Sequence, residues 1–146
     1  MTATVPPQRP LPPARANAAT RPELTPVLRA RVAAKAAAAL ELLHAAVAEF
    51  GGNGELAFAN SFGAEDMVLT DLILAHGLPI TIFSLDTGRL PAETYTLIGE
   101  VERRYRTKLE IYFPDAAAVE AYVRSHGINA FYDSVELRKA CCGVRK

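Results

Sequence analysis

The sequence is 146 residues long, with 50% hydrophobic and 22% charged residues, a composition typical of one soluble domain that buries a core. Sixteen lysines and arginines balance sixteen aspartates and glutamates, so no overall electric field attracts the protein to nucleic acid or to an anionic membrane surface. The sequence has no run of about 18 apolar residues, which argues against a membrane-spanning helix. We therefore expect a soluble protein in which any anion site is local.

Residues 1–24 are predicted to form a disordered tail rich in proline and alanine, and residues 25–146 to form one domain. The first 22 residues contain six of the ten prolines, three arginines and no acidic residue. An organelle transit peptide is also basic, but the prolines prevent the amphipathic helix that it needs, and no apolar segment for secretion occurs. The tail is therefore interpreted as disordered and not as a targeting signal.

Hydrophobic periodicity predicts helices that alternate with short strands from residue 25 to residue 127. Thr25 is a good capping residue before Pro26 at the first helical position, and glycines from Gly51 onward end this first helix. The later elements, in chain order, are a strand at 56–59, a helix at 67–74 closed by Gly77, a strand at 78–85, a helix at 91–105, a strand at 109–113 and a helix from Asp115 to Gly127.

This alternation predicts an α/β fold, with a parallel sheet covered by helices on both faces and right-handed crossovers. Ligands of such sheets bind beyond the carboxyl ends of the strands. Ser61 and Asp86 both follow predicted strands, so we expect two polar loops to converge on one crevice.

The first loop combines a hydroxyl, a glycine and a helix N-terminus, whose free N–H groups hold phosphate without lysine. Structural capping of a strand-to-helix turn is the alternative, since the same residue types serve it. Glu65 and Asp66 would repel a phosphate, so we expect them to cap the loop or to face ribose and ordered water. The loop consists of Ser61, Phe62, Gly63, Ala64, Glu65 and Asp66.

The second loop supplies acceptors for sugar or base edges, a flexible glycine and a guanidinium for an anion. A capped turn without a ligand is again the alternative. Because both loops follow neighbouring strands, together they favour a nucleotide site. This loop consists of Asp86, Thr87, Gly88 and Arg89.

Cys141 and Cys142 are adjacent, which would strain a disulfide between them. Free thiols or metal ligands suit a reducing cytoplasm. Cationic neighbours favour the thiolate, the form that binds metal or attacks as a nucleophile, and would offset the charge of an iron–sulfur cluster. Two ligands do not complete a four-thiolate cluster, and a frayed basic tail with incidental cysteines is the alternative. The neighbouring cations are Arg138, Lys139, Arg145 and Lys146.

Taken together, these motifs resemble those of the sulfonucleotide reductase family, in the same order and from about Leu56 to the last residue. Adjacent cysteines followed by basic residues are typical of its iron–sulfur branch, which reduces adenylyl sulfate. The 3′-phosphoadenylyl sulfate reductases generally lack the cysteine pair. The matching segments are residues 61–66, residues 84–89 with Pro91, Glu93, Thr94 and Tyr95, and residues 141–146.

The resemblance implies an adenine-nucleotide α-hydrolase-like fold of the PP-loop type, incomplete in this chain. It also implies thioredoxin-dependent reduction of adenylyl sulfate to sulfite and AMP in sulfate assimilation. By this resemblance, residues 61–66 and 85–89 form the substrate site. Ser61, Gly63 and the neighbouring backbone lie around the substrate's phosphate, and residues 85–88 lie near adenosine, with Leu85 on the adenine side. Cys141 and Cys142 would ligate a [4Fe-4S] cluster, and Lys146, the expected catalytic residue, would lie between cluster and substrate.

In the family mechanism, a C-terminal cysteine thiolate attacks the sulfur of the bound sulfate and AMP leaves. Thioredoxin or glutaredoxin then reduces the S-sulfo-enzyme and releases sulfite. That cysteine and the second ligand pair are not among these 146 residues. We therefore expect an N-terminal, nucleotide-binding part of a reductase, either a fragment or a split-gene product, and the resemblance is compatible with a homo-oligomer.

Three alternatives stay open. One is reduction of 3′-phosphoadenylyl sulfate. Another is a PP-loop ATP pyrophosphatase, which uses a Ser-Gly-Gly-x-Asp-Ser loop from which Phe62 and Asp66 depart. The third is a non-catalytic role, as a nucleotide-binding remnant or as a thiol or iron sensor.

Overall fold

A computed structural model of the protein describes residues 25–51 and 56–146. The tail predicted at residues 1–24 lies outside the described residues. The described elements are helix α1 (Pro26–Phe50), strand β1 (Ala57–Ala59), helix α2 (Ala64–Ala75), strand β2 (Thr81–Leu85), helix α3 (Ala92–Tyr105), strand β3 (Glu110–Tyr112), helix α4 (Ala116–His126), a short 3-10 helix (Ala130–Tyr132) and helix α5 (Val135–Arg145).

The predicted order of helices and strands is confirmed from α1 to α4, although each strand is shorter than its apolar run. β2 begins at Thr81 and not at residue 78. Pro79 has no N–H to donate to a strand ladder, and the Leu78 N–H donates instead to the Ile73 carbonyl oxygen near the end of α2 (3.0 Å). Apolar character therefore extends beyond the hydrogen-bonded part of the strand.

Helix α5 holds both cysteines, and the sequence reasoning does not predict it. The Ser134 hydroxyl caps this helix by accepting from the Leu137 N–H (3.1 Å). A signal was present in the sequence, because Leu137, Cys141 and Val144 follow that cap at helical spacing. The alternative of a frayed basic tail is wrong, since the cysteines lie within a capped helix.

β2 is the central strand of a three-stranded parallel sheet and pairs with β1 on one side and β3 on the other. The predicted α/β class, with a parallel sheet flanked by helices, is confirmed. Ile73 of α2 is only 1% exposed, at the centre of the apolar core. The buried members of this core are Phe62, Ile73, Ile82, Val101 and Leu109.

Two hydrogen bonds extend the pairing beyond the strand ends. The Asn60 N–H donates to the Phe83 carbonyl oxygen (2.8 Å), and the Asp86 N–H donates to the Tyr112 carbonyl oxygen (2.9 Å). The loops after β1 and β2 therefore start beside each other, at the same edge of the sheet.

Helix α1 has the predicted start, with the Thr25 hydroxyl accepting from the Leu28 N–H (3.2 Å) and Pro26 in the first turn. None of its residues is fully buried, and Leu43 is partly buried against the core. Among the described residues, no helix combines the length and the apolar character needed to cross a membrane.

Replacing Ile73 with alanine should lower the free energy of unfolding by about 3 kcal/mol, because it leaves a cavity in the core. Urea denaturation followed by circular dichroism measures this change. Val68→Ala on the same helix is the matched control, since Val68 is 56% exposed, and it should change stability by less than about 0.5 kcal/mol. Equal effects of the two substitutions would contradict the described packing of α2.

Candidate functional site

Asn60 and Thr70 fix the shape of the first loop. Asn60, which is 3% exposed, donates from Nδ2 to the Thr70 hydroxyl (2.8 Å) and accepts at Oδ1 from the Phe62 N–H (2.6 Å). The Thr70 hydroxyl donates in turn to the Asp66 carbonyl oxygen (2.7 Å). Buried polar groups that are all paired stabilise one conformation. Sequence reasoning missed Asn60, and its signal was a polar residue directly after a buried strand.

Phe62 has a left-handed backbone, with φ of 63°, a conformation that is costly for a bulky residue. Phe62 is 9% exposed as a residue and packs in the core cluster that includes Ile73. Burial of the ring and the hydrogen bond from its N–H to Asn60 offset this strain. Phe62 was predicted to contact the substrate. Its backbone lies in the loop, but its ring packs in the core.

Asp66 closes the first loop. Its Oδ2 accepts from the Ser61 N–H (2.7 Å) and from the Ser61 hydroxyl (2.6 Å). The hydrogen bond from the Ser61 side chain, with that from its backbone, lowers the pKa of the Asp66 carboxyl below its ordinary value. Asp66 therefore caps the loop, one of the two roles expected for it.

The N-terminus of α2 falls within this loop. Gly63 is the residue before the helix, Ala64 is its first residue, and no side chain among the described residues caps it. A Cβ atom on Gly63 would lie 3.4 Å from Glu65 Oε2 and 3.6 Å from Ser61 Oγ. The first-turn N–H groups thus keep their capacity to bind an anion.

Asp86 shapes the second loop. It is buried, and its Oδ1 accepts from the Gly88 N–H (2.7 Å) and from the Tyr95 hydroxyl of α3 (2.9 Å). The hydrogen bond to Asp86 raises the pKa of the Tyr95 hydroxyl. Gly88 has φ of 71°, a conformation that favours glycine. Asp86 therefore organises the turn through Oδ1, and Tyr95 is the partner that sequence reasoning did not assign.

Two arginines connect the second loop to the C-terminal part of the chain. Arg89 donates from Nη1 to the Ile128 carbonyl oxygen (2.7 Å) and from Nη2 to Asn129 Oδ1 (2.9 Å). Arg145 of α5 donates from Nη1 to the Thr87 carbonyl oxygen (2.6 Å). The Arg89 guanidinium, expected to bind an anion, is therefore held by protein acceptors.

Cys141 and Cys142 are free thiols on α5. Cys141 is 6% exposed and Cys142 is exposed. Both border a small cleft of about 160 Å³. The cleft is lined by Thr87, Arg89, Phe131, Arg138, Cys141, Cys142, Arg145 and Lys146. The fold thus brings four cationic side chains around the two thiols, which suits a ligand of negative charge.

A second cleft, of about 230 Å³, opens at the carboxyl ends of β1 and β2. Ser61, Leu85 and Thr87 border it, together with Lys146 from the end of α5. Thr87 and Lys146 border the cysteine cleft as well. The two clefts are therefore adjacent, and Lys146 lies at their junction.

The described residues offer no metal centre of their own, because they contain no group of three or more His, Cys, Asp or Glu residues placed to hold an ion. The two thiols, Cys141 and Cys142, could supply half of a four-thiolate donor set.

The three-stranded parallel sheet and its flanking helices are consistent with the adenine-nucleotide α-hydrolase-like class of fold. Residues 55–146 match the family model of the phosphoadenosine phosphosulfate reductase domain. The match covers more than half of the chain, and the chain belongs to this family.

Curated relatives carry related names. The chain is 49% identical over 131 residues to "Adenosine 5'-phosphosulfate reductase" of Burkholderia cepacia, over 89% of this chain and 49% of that protein. It is 54% identical over 110 residues to the protein of the same name from Allochromatium vinosum (75% and 42%). It is 42% identical over 110 residues to "5'-adenylylsulfate reductase 3, chloroplastic" of Arabidopsis thaliana (75% and 23%). The chain spans about half or less of the length of these relatives.

Replacing Asp66 with asparagine should lower the free energy of unfolding by about 1 kcal/mol at pH 7, because the charged acceptor of the two Ser61 hydrogen bonds is lost. The effect stays small because solvent screens the charge of the carboxylate. The folded-state pKa of Asp66 is lowered, so its contribution is complete above the ordinary aspartate pKa of about 4 and is lost as the pH falls through the folded-state pKa. Urea titrations from pH 7 to pH 3 should therefore show the two proteins converging.

Glu65→Gln is the matched control, since it removes a carboxylate from the same helical turn without breaking the bonds to Ser61. A wild-type advantage over Asp66→Asn that stays constant down to pH 3 would contradict the role given to the Asp66 carboxylate.

Proposed function

We propose that this chain is the nucleotide-binding part of a cytoplasmic adenylyl-sulfate reductase, which converts adenylyl sulfate to sulfite and AMP in sulfate assimilation. The observation that carries the proposal is the position of Lys146, which borders both the cleft at the strand ends and the cleft of the two thiols. Two relatives carry the name "Adenosine 5'-phosphosulfate reductase", which names the same substrate.

In this proposal, the first loop holds the phosphate of the substrate. The N–H groups at the start of α2 supply donors and the positive end of a helix dipole. The Asp66 carboxylate is turned to Ser61, which reduces its repulsion of a bound anion. Asn60 holds Phe62 and thereby fixes the backbone that approaches the ligand.

Adenosine lies against the second loop. Leu85 and Thr87 border the cleft of about 230 Å³, which offers an apolar surface for a base and polar groups beside it. Asp86 keeps the turn in shape through Gly88 and Tyr95. The Lys146 ammonium supplies a point charge for the sulfate group, which carries the bond that breaks.

Cys141 and Cys142 are proposed as two of the four thiolates that hold a [4Fe-4S] cluster. When bound, such a cluster supplies a compact charged centre beside the substrate cleft. Arg138, Arg145 and Lys146 around the thiols would balance its negative charge. The sequence has two cysteines, so two more ligands have to come from residues outside these 146.

The reaction requires a thiolate that attacks the sulfur of the sulfate group. A sulfur–sulfur bond forms, the bond from that sulfur to the phosphate oxygen breaks, and AMP leaves with the electron pair. Reduced thioredoxin or glutaredoxin then cleaves the sulfur–sulfur bond, which releases sulfite and oxidises the dithiol to a disulfide. Because Cys141 and Cys142 are assigned to the cluster, the nucleophile is assigned to a cysteine outside these residues.

Isothermal titration calorimetry of the 146-residue protein with AMP and with adenylyl sulfate tests the nucleotide site. Replacing Lys146 with glutamine should weaken binding of adenylyl sulfate about tenfold, because a charge-assisted contact is lost. Lys35→Gln on α1 is the control for a change in net charge and should leave the affinity within about twofold.

Three outcomes would contradict the proposal. They are the absence of binding by either nucleotide, equal effects of the Lys146 and Lys35 variants, and a preference for the 3′-phosphorylated substrate. Release of pyrophosphate from ATP would instead favour the PP-loop pyrophosphatase.

Anaerobic incubation with iron and sulfide tests the two thiols. Cys141→Ser and Cys142→Ser should each reduce the bound iron per chain by at least about half, because serine is a poor ligand for iron–sulfur clusters. Ser134→Ala is the control, since it weakens the cap of α5 and keeps both thiols. Iron content that does not depend on the cysteines would contradict the assignment of these ligands.

A further inference from the structure

Arg89 connects the second loop to the segment that leads into the cysteine helix. Its two terminal nitrogens donate to the Ile128 carbonyl oxygen (2.7 Å) and to Asn129 Oδ1 (2.9 Å), 39 and 40 residues away in the chain. The guanidinium carbon lies 4.2 Å from the centre of the Phe131 ring. One side chain therefore makes three contacts with residues 128–131, in the planar fork geometry that lysine cannot provide.

The contacted segment is joined closely to α5. The Phe131 carbonyl oxygen accepts from Arg138 Nε of that helix (3.3 Å), and Ala130 is buried. The Tyr122 hydroxyl of α4 donates to the Leu137 carbonyl oxygen (2.8 Å). A displacement of residues 128–131 would consequently move the start of α5 and its cysteines.

The opposite end of the connection lies in the loop that borders the cleft at the strand ends. The Arg89 N–H lies 3.3 Å from the Thr87 hydroxyl, and Thr87 borders both clefts. Its carbonyl oxygen also accepts from Arg145 of α5 (2.6 Å). The second loop is thus connected directly to α5 through Arg145, and to the segment before α5 through Arg89.

We infer that Arg89 is a positioning residue that holds α5, the helix with Cys141 and Cys142, in a fixed position relative to the second loop (residues 86–89). Through this connection, a nucleotide in the cleft at the strand ends restricts access to Cys141. Arg89 then acts through Ile128, Asn129 and Phe131 and not through direct contact with an anion. The inference rests on the proposed function for the identity of the ligand, and the connection itself rests on the contacts of Arg89.

Alkylation of Cys141 by iodoacetamide, followed by mass spectrometry in a Cys142→Ser background, reports the position of the cysteine helix. Arg89→Lys keeps the charge and most of the bulk but cannot donate to both acceptors. Asn129→Ala removes one acceptor, and Asn129 does not border the cysteine cleft. Each variant should raise the alkylation rate about fivefold, because local opening becomes easier.

Arg124→Lys is the matched control, an arginine-to-lysine change on the exposed surface of α4, and should stay within about twofold of the parent. The double variant Arg89→Lys with Asn129→Ala should alkylate no faster than about twice the rate of Arg89→Lys alone, because both changes break the same connection. Rates of both single variants equal to the control, or effects that multiply in the double variant, would overturn the inference.

AMP at saturation supplies the second readout, because a purely structural role would not change it. AMP should slow Cys141 alkylation in the parent at least about threefold and should have little effect on the rate in Arg89→Lys, while it still raises the melting temperature of that variant. Full protection by AMP in Arg89→Lys would overturn the inference. Failure of AMP to bind the parent would instead contradict the proposed function, and the rates without nucleotide would still decide the role of Arg89.

Discussion

The site depends on the pairing of β2 with both of its neighbours. Because the strands are parallel, their carboxyl ends meet at one edge of the sheet. The hydrogen bonds of the Asn60 and Asp86 N–H groups extend this order into the first residues of each loop. Backbone hydrogen bonds therefore set where both loops begin, and side-chain bonds shape the rest. Ile82 of β2 is buried in the core cluster.

The charged and polar side chains of the two loops mostly bind protein groups. Asp66 accepts from Ser61, Asp86 accepts from Gly88 and Tyr95, and Arg89 donates to residues 128 and 129. These internal bonds fix the backbone of the loops, and the residues that border the cleft at the strand ends include Ser61, Thr87 and Lys146. Within the first loop, Asp66 directs its carboxylate to Ser61, and these hydrogen bonds stabilise its charged form.

Much of this architecture follows from the sequence, because periodicity and capping are local signals. Thr25, Gly51 and Asp115 mark helix ends in the structure, and each strand lies within its predicted apolar run. Helix α5 was missed although its cap and spacing were readable. The partners of Arg89 were not readable, because they lie about 40 residues away and are joined only by the tertiary fold. The burial of Asn60 likewise depends on Thr70, which approaches it only once α2 packs on the sheet.

The left-handed backbone of Phe62 has a consequence for the thermodynamics of ligand association. The ring is held in the core and the N–H is held by Asn60, so contacts within the protein account for the bent shape of the loop. The loss of backbone entropy at this turn occurs during folding. For the anion that we propose at this loop, association would start from an ordered surface, and its entropy would be less unfavourable than for a loop that has to fold around its ligand.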